Sequence, residues 1–96
     1  SLHCIAFKYF GYVSTPKFNF NLKMSLTNQN MIEMGAFQTI GANSKIIVIE
    51  LVDQDDSSAS FQYNNYSVIL DKKNYTAVVS LPDPNGYNLI YASCSL

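Results

Sequence analysis

The sequence predicts a small, sheet-rich domain in which one segment, Lys17 to Met34, decides between an α+β and an all-β class. Three observations carry that expectation. From Ala36 onward the chain is a series of short runs rich in β-branched and aromatic residues, each closed by turn chemistry. Before it lies the helix-length stretch from 17 to 34, and cysteines stand near both ends, at positions 4 and 94.

The first element, Cys4 to Val13, is aromatic and strand-like and ends in the turn-prone Ser14-Thr15-Pro16. In the next segment two periodicities compete. Phe18, Phe20, Leu22, Met24 and Leu26 alternate with mostly polar residues, as a half-buried strand does. A helix has its own support: Thr15 as N-cap, Pro16 at the first helical position, Phe18, Leu22 and Leu26 at i, i+4 and i+8, and Gly35 as the stop. Pattern alone leaves both open. Ala36 to Ile40 then reads as a strand, followed by a turn at Gly41-Ala-Asn-Ser44. Lys45 to Val52 is the clearest strand, and Asp53 to Ser58 reads as a solvated polar loop. A calcium site there would lack the Gly and terminal Glu of an EF-hand loop. Phe61 to Tyr63, Tyr66 to Asp71 and Tyr75 to Leu81 continue the strands, with Asp71-Lys-Lys-Asn74 as a hairpin connection. Pro82-Asp-Pro-Asn-Gly86 is the strongest turn, and Tyr87 to Cys94 is the last strand.

A chain of 96 residues fits one domain, 1–96, because two halves would each be too small for a stable core. Seven Tyr, six Phe and 48% apolar residues are too much buried-type surface for a disordered chain. The longest apolar run, Lys45 to Val52, is interrupted by Glu50 and falls far short of the roughly 20 residues of a spanning helix. Six lysines against seven acids, with no arginine, give a net charge of -1 and disfavour phosphate-driven nucleic-acid binding. Cys4 and Cys94 are expected to pair, the alternative being two buried free thiols. A bridge closing nearly the whole chain restricts the unfolded state most, by about 4 to 5 kcal/mol in the chain-entropy model. Such a bridge implies an oxidising compartment, hence secretion, with which a start at Ser1 and the sequons Asn65-Tyr66-Ser67 and Asn74-Tyr75-Thr76 are compatible.

The final stretch, Asn74-Tyr-Thr-Ala-Val-Val-Ser-Leu-Pro-Asp-Pro-Asn-Gly-Tyr-Asn-Leu-Ile-Tyr-Ala-Ser-Cys94, resembles the last hairpin of the small fungal guanyl-preferring ribonucleases. Tyr66-Ser-Val-Ile-Leu-Asp-Lys-Lys73 resembles the preceding strand and turn of the ribonuclease-like secreted effectors of powdery mildew fungi. Those effectors tend to open on an aromatic-x-Cys motif, where this chain has Leu2-His3-Cys4. The resemblance implies an α+β fold, with a helix at roughly Pro16 to Met31 packed on a twisted antiparallel sheet, and makes the Cys4–Cys94 bridge its framework.

The ribonucleases work with a Glu, a His and an Arg, which supply base, acid and phosphate-neutralising cation. Here the region matching the histidine, Val79-Ser-Leu-Pro82, offers Ser80 or Leu81, and the arginine strand reads Tyr66-Ser-Val-Ile69. Only Glu50 has a counterpart, so no catalytic residue is assigned and Glu50 is a degenerate pocket candidate. The resemblance thus implies a non-enzymatic virulence effector, secreted and delivered into host cells. It would be a monomer without cofactor, metal or membrane contact, binding host plant proteins or, weakly, RNA, and open to recognition by a leucine-rich-repeat intracellular immune receptor. Asp53 to Ser58 and Pro82 to Asn88 are the natural contact loops. Two rivals stand beside it: an active ribonuclease using Glu50 and His3, and an extracellular immunoglobulin-like or lectin-like β-sandwich, favoured if 17–34 is strand. His3 reads as an exposed terminal residue, Lys72 and Lys73 as a solvated hairpin tip, and Tyr63, Tyr66, Tyr75, Tyr87 and Tyr91 as cross-strand packing before base stacking.

Overall fold

Among the described residues, eight antiparallel strands, each paired with its neighbours in sequence, close into a barrel when the last meets the first. This computed structural model describes residues 1–11, 20–27, 31–39 and 43–96. The strands are β1 (Leu2–Phe10), β2 (Phe20–Leu26), β3 (Ile32–Thr39), β4 (Ile46–Gln54), β5 (Ser58–Tyr63), β6 (Tyr66–Asp71), β7 (Thr76–Asp83) and β8 (Gly86–Ser95). Among the described residues there is no helix, so the α+β ribonuclease-like class is overturned. The β-sandwich is replaced too, because a single sheet rolls up on itself instead of two sheets stacking.

The decisive segment is β2. Leu22 and Met24 are both fully buried, and a two-residue spacing puts them on one face only in a strand. The i, i+4 pair Leu22 and Leu26 seemed to favour a helix, but a spacing of four is also an even number and satisfies both periods. The expected cap at Thr15 and Pro16, together with Phe18, lies outside the described residues. Gly35, expected to stop the helix, sits inside β3, opposite Ile49 of β4. It is a glycine for space: a Cβ there would stand 2.8 Å from Phe61 Cε1 and 3.0 Å from Ile49 Cγ1. The edge of the Phe61 ring occupies that gap.

Alternate residues of each strand turn inward, and the interior is filled with side chains. Phe37, Phe61, Leu2, Leu22, Met24, Ile49, Leu70 and Ile90 are among its large members. Small residues balance them: Ala59 faces Leu70, and Ala77 faces Ala92, across adjacent strands. No described residue buries a polar or charged side chain, so the core gains apolar burial without desolvated groups to satisfy. Shifts of register near Phe7 in β1, between Ser25 and Leu26 in β2, and near Val52 in β4 add the local twist a tightly curved wall needs.

Cys4 and Cys94 are directly opposed across the β1–β8 seam and are joined by a disulfide, with Cα atoms 3.9 Å apart. The bridge therefore locks the pairing that converts an open meander into a barrel. The later turns fall close to their expected places. Lys72 to Tyr75 link β6 to β7, and β5 and β6 are joined through Asn64 and Asn65, with Asn64 in the left-handed region (φ 51°) that asparagine tolerates. The Pro82–Gly86 turn is shorter than expected: β7 runs on through Pro82 to Asp83, and Gly86, at φ 141°, makes the return.

Candidate functional site

A closed meander puts its connections at two ends. One end, called here the seam end because the disulfide lies near it, gathers the start of β1, the β2–β3, β4–β5 and β6–β7 connections and the end of β8. A cavity of about 250 Å³ opens there. Leu2, Leu26, Ile32 and Leu70, from β1, β2, β3 and β6, make its apolar floor. Met31, Asp56, Lys72 and Tyr75 also line it.

Lys72 organises this end. Its half-buried side chain donates from Nζ to Gln54 Oε1 (3.0 Å) and to the Asp55 carbonyl oxygen (2.6 Å), and lies 3.9 Å from Met31 Sδ. Gln54 in turn completes the sheet where β3 and β4 part: its Nε2 donates to the Ile32 carbonyl (2.8 Å), and its Oε1 accepts from Ile32 N (3.0 Å). The β2–β3 connection is clasped by Thr27, whose N donates to Met31 O and whose Oγ1 accepts from Met31 N. Lys72 N donates to Ser57 O at 2.9 Å and so ties the β6–β7 turn to the β4–β5 turn.

Two aspartates shape those turns by the same means. Asp55 Oδ1 accepts from Ser57 N and Ser58 N, and Asp71 Oδ1 from Lys73 N and Asn74 N. Amide N–H groups aimed at a carboxylate favour its charged form, so both carboxyls lie below their ordinary value. For Asp55 the Ser57 amide is the largest cause, followed by that of Ser58; for Asp71 they are the amides of Lys73 and Asn74. Tyr75 closes the second turn at φ 53°, its carbonyl accepting from Cys94 N at 2.8 Å.

The outer wall carries a second feature. Ile5, Phe7 and Phe10 of β1 are 67%, 59% and 49% exposed. Register carries the apolar surface onward: Lys8 faces Tyr91, Tyr91 faces Val78, and Val78 faces the exposed Ile69. Phe10 meets Tyr91 edge to face at 5.6 Å, and Lys8 Nζ lies 4.8 Å over the Phe10 ring. These contacts give the β1–β8 sector a fixed aromatic relief.

The residues singled out in the sequence do not converge. Glu50 is exposed on β4 opposite Gln62, on the outer wall rather than in a concavity. His3, exposed on β1 opposite Lys23 and Ser95, is three strand positions from β4, on the order of 14 Å around the wall at about 4.8 Å a strand. The ribonuclease pair of Glu50 and His3 is therefore not assembled. Asp53 to Ser58 and Pro82 to Asn88, expected as contact loops, fall at opposite ends of the barrel. Tyr63 and Tyr66 face each other beside their turn, ring centroids 6.1 Å apart, and pack on the core, whereas Tyr75 and Tyr87 are exposed.

Lys72 is the residue that the sequence reading missed, since it had been grouped with Lys73 at a solvated tip. Alternation held the signal: Leu70 points inward, Asp71 outward, and the next inward position is 72. Comparison adds no family to this geometry. No family model, curated protein or solved structure matches the chain.

Proposed function

We propose that this chain is a secreted, non-catalytic binding module that meets a protein partner through the apolar β1–β8 sector of its outer wall. The observation that carries the reading is the exposure of Ile5, Phe7 and Phe10 on a strand whose inward residues already supply the core. Large apolar side chains contiguous across several strands mark an interaction surface more often than isolated ones do. Aromatic anchors of this kind carry most of the energy in protein interfaces. Secretion is supported by the Cys4–Cys94 disulfide, a bond that persists in oxidising compartments. The effector role is what the ribonuclease resemblance of the last strands implies; the α+β scaffold implied with it is not the fold of this chain, and the binding reading stands on the outer wall instead.

The test is comparative capture. Wild-type protein and the Phe7→Ser/Phe10→Ser double variant are used as baits in the same extracellular extract, with matched melting curves. Partners held by the wild type and lost by the variant support the reading. An identical captured set from both baits overturns it.

A further inference from the structure

We propose that the cavity at the seam end is a binding site for a short aliphatic carboxylate, with Lys72 pairing the carboxylate and the barrel floor receiving the alkyl chain. This inference goes beyond the protein-binding reading and stands on different residues.

Size comes first. A volume of about 250 Å³ is below the roughly 300 to 1,000 Å³ of pockets for drug-sized ligands, so the occupant is a molecule of few carbons. Chemistry comes second. Leu2, Leu26, Ile32 and Leu70 give the chain an apolar surface contributed by four strands rather than by a loop. Over it stands one ammonium whose observed contacts are all with neutral atoms: the Gln54 amide oxygen, the Asp55 carbonyl and the Met31 thioether. An ammonium has three protons, and a thioether is a weak acceptor. The proton turned towards Met31 is thus the one a carboxylate oxygen would take over, exchanging a poor acceptor for a charge-assisted bond. The Asp55 carboxylate makes no observed hydrogen bond to Lys72: its Oδ1 accepts from the Ser57 and Ser58 amides, and its charge acts on the ammonium through space.

Asp56 lines the same cavity, and its charge bears on which head group is favoured. Its negative charge weighs more heavily against a doubly charged phosphate than against a singly charged carboxylate, whose single charge one ammonium proton can meet. Lys72 is also pre-positioned: Gln54 and Asp55 hold its Nζ before any ligand arrives, so little rotamer freedom is left to lose.

Sodium octanoate is the probe, titrated into the intact disulfide-bonded protein and followed by methyl chemical shifts of Leu2, Ile32 and Leu70 and by calorimetry. The expected result is saturable binding that moves those methyls, with no binding of octylammonium. Lys72→Met weakens octanoate about tenfold or more. Because Lys72 also braces the fold, Asp56→Asn supplies the second variant: it breaks no observed hydrogen bond, and removing its charge tightens octanoate several-fold. Phe7→Ser leaves octanoate binding unchanged, which separates this site from the outer wall. Absence of methyl shifts, equal affinity for octanoate and octylammonium, or octylammonium binding that Asp56→Asn abolishes each overturns the proposal.

Discussion

The outer faces of β1 and β5 belong to the same barrel and do the same structural work, yet they are built from opposite materials. β5 turns Ser58, Ser60 and Gln62 outward while Ala59 and Phe61 fill the interior. β1 turns Ile5, Phe7 and Phe10 outward while Leu2 and Cys4 do the filling. β5 shows that a strand of this barrel needs no apolar outer face, because ladder hydrogen bonds and the inward residues suffice. The apolar sector on β1 and β8 is therefore surplus to folding, and its explanation has to be sought outside the fold.

The comparison can be broken most severely at the seam. Cys4→Ser or Cys94→Ser should cost about 4 to 5 kcal/mol, since the bridge closes a loop with a sequence separation of 90. At roughly 4 to 8 °C per kcal/mol for a domain of this size, melting should fall by tens of degrees in a thermal scan. An unchanged melting temperature would remove the seam as the keystone of the barrel. Next comes the inner face of β5: Phe61→Ala should destabilise by about 3 to 5 kcal/mol in urea titration. Gly35→Ala should also destabilise, by forcing Phe61 and Ile49 aside, and Phe61→Leu should relieve part of that loss.

The seam-end turns predict a smaller, pH-dependent effect. The folded-state carboxyls of Asp55 and Asp71 lie below 3.8, so their contribution is present above that value and is lost as pH falls through the folded values. The double variant Asp55→Asn/Asp71→Asn should flatten the acid limb of stability against pH, measured by urea unfolding between about pH 5 and pH 2. An acid limb of unaltered steepness would count against these two turns. The smallest changes belong to the outer faces themselves. Phe7→Ser on β1 and Ser60→Val on β5 should each shift stability by no more than about 0.5 kcal/mol. A large loss for Phe7→Ser would make the apolar sector structural after all.

Much of the barrel was legible in the chain. From Lys45 to Cys94 the strands and turns follow from β-branched runs and Asn, Asp and Pro punctuation, and the bridge follows from where the cysteines stand. The error lay in β2, where Met24, two residues from Leu22, carried the strand signal, while the spacing of four satisfied a helix equally. A resemblance at the final hairpin then tipped the choice, although a hairpin reports two strands and says nothing of an element fifty residues away. Closure was illegible for another reason: pairing of the first strand with the last leaves no local trace beyond the cysteines. The candidate site was only partly legible: alternation from Leu70 places position 72 inward, but Lys72 and Gln54 look solvent-bound by residue type, and it is the geometry of the barrel end that brings them together.

The placement of the disulfide also has a mechanical meaning. Because the bridge joins the two terminal strands near their outer ends, tension applied at the chain ends is carried by the covalent bond and bypasses the ladder from β2 to β7. Pulled in an optical trap from Ser1 and Leu96, the oxidised protein should extend by only the few residues outside the bridge. After reduction, the same grip should peel the barrel open strand by strand from the seam.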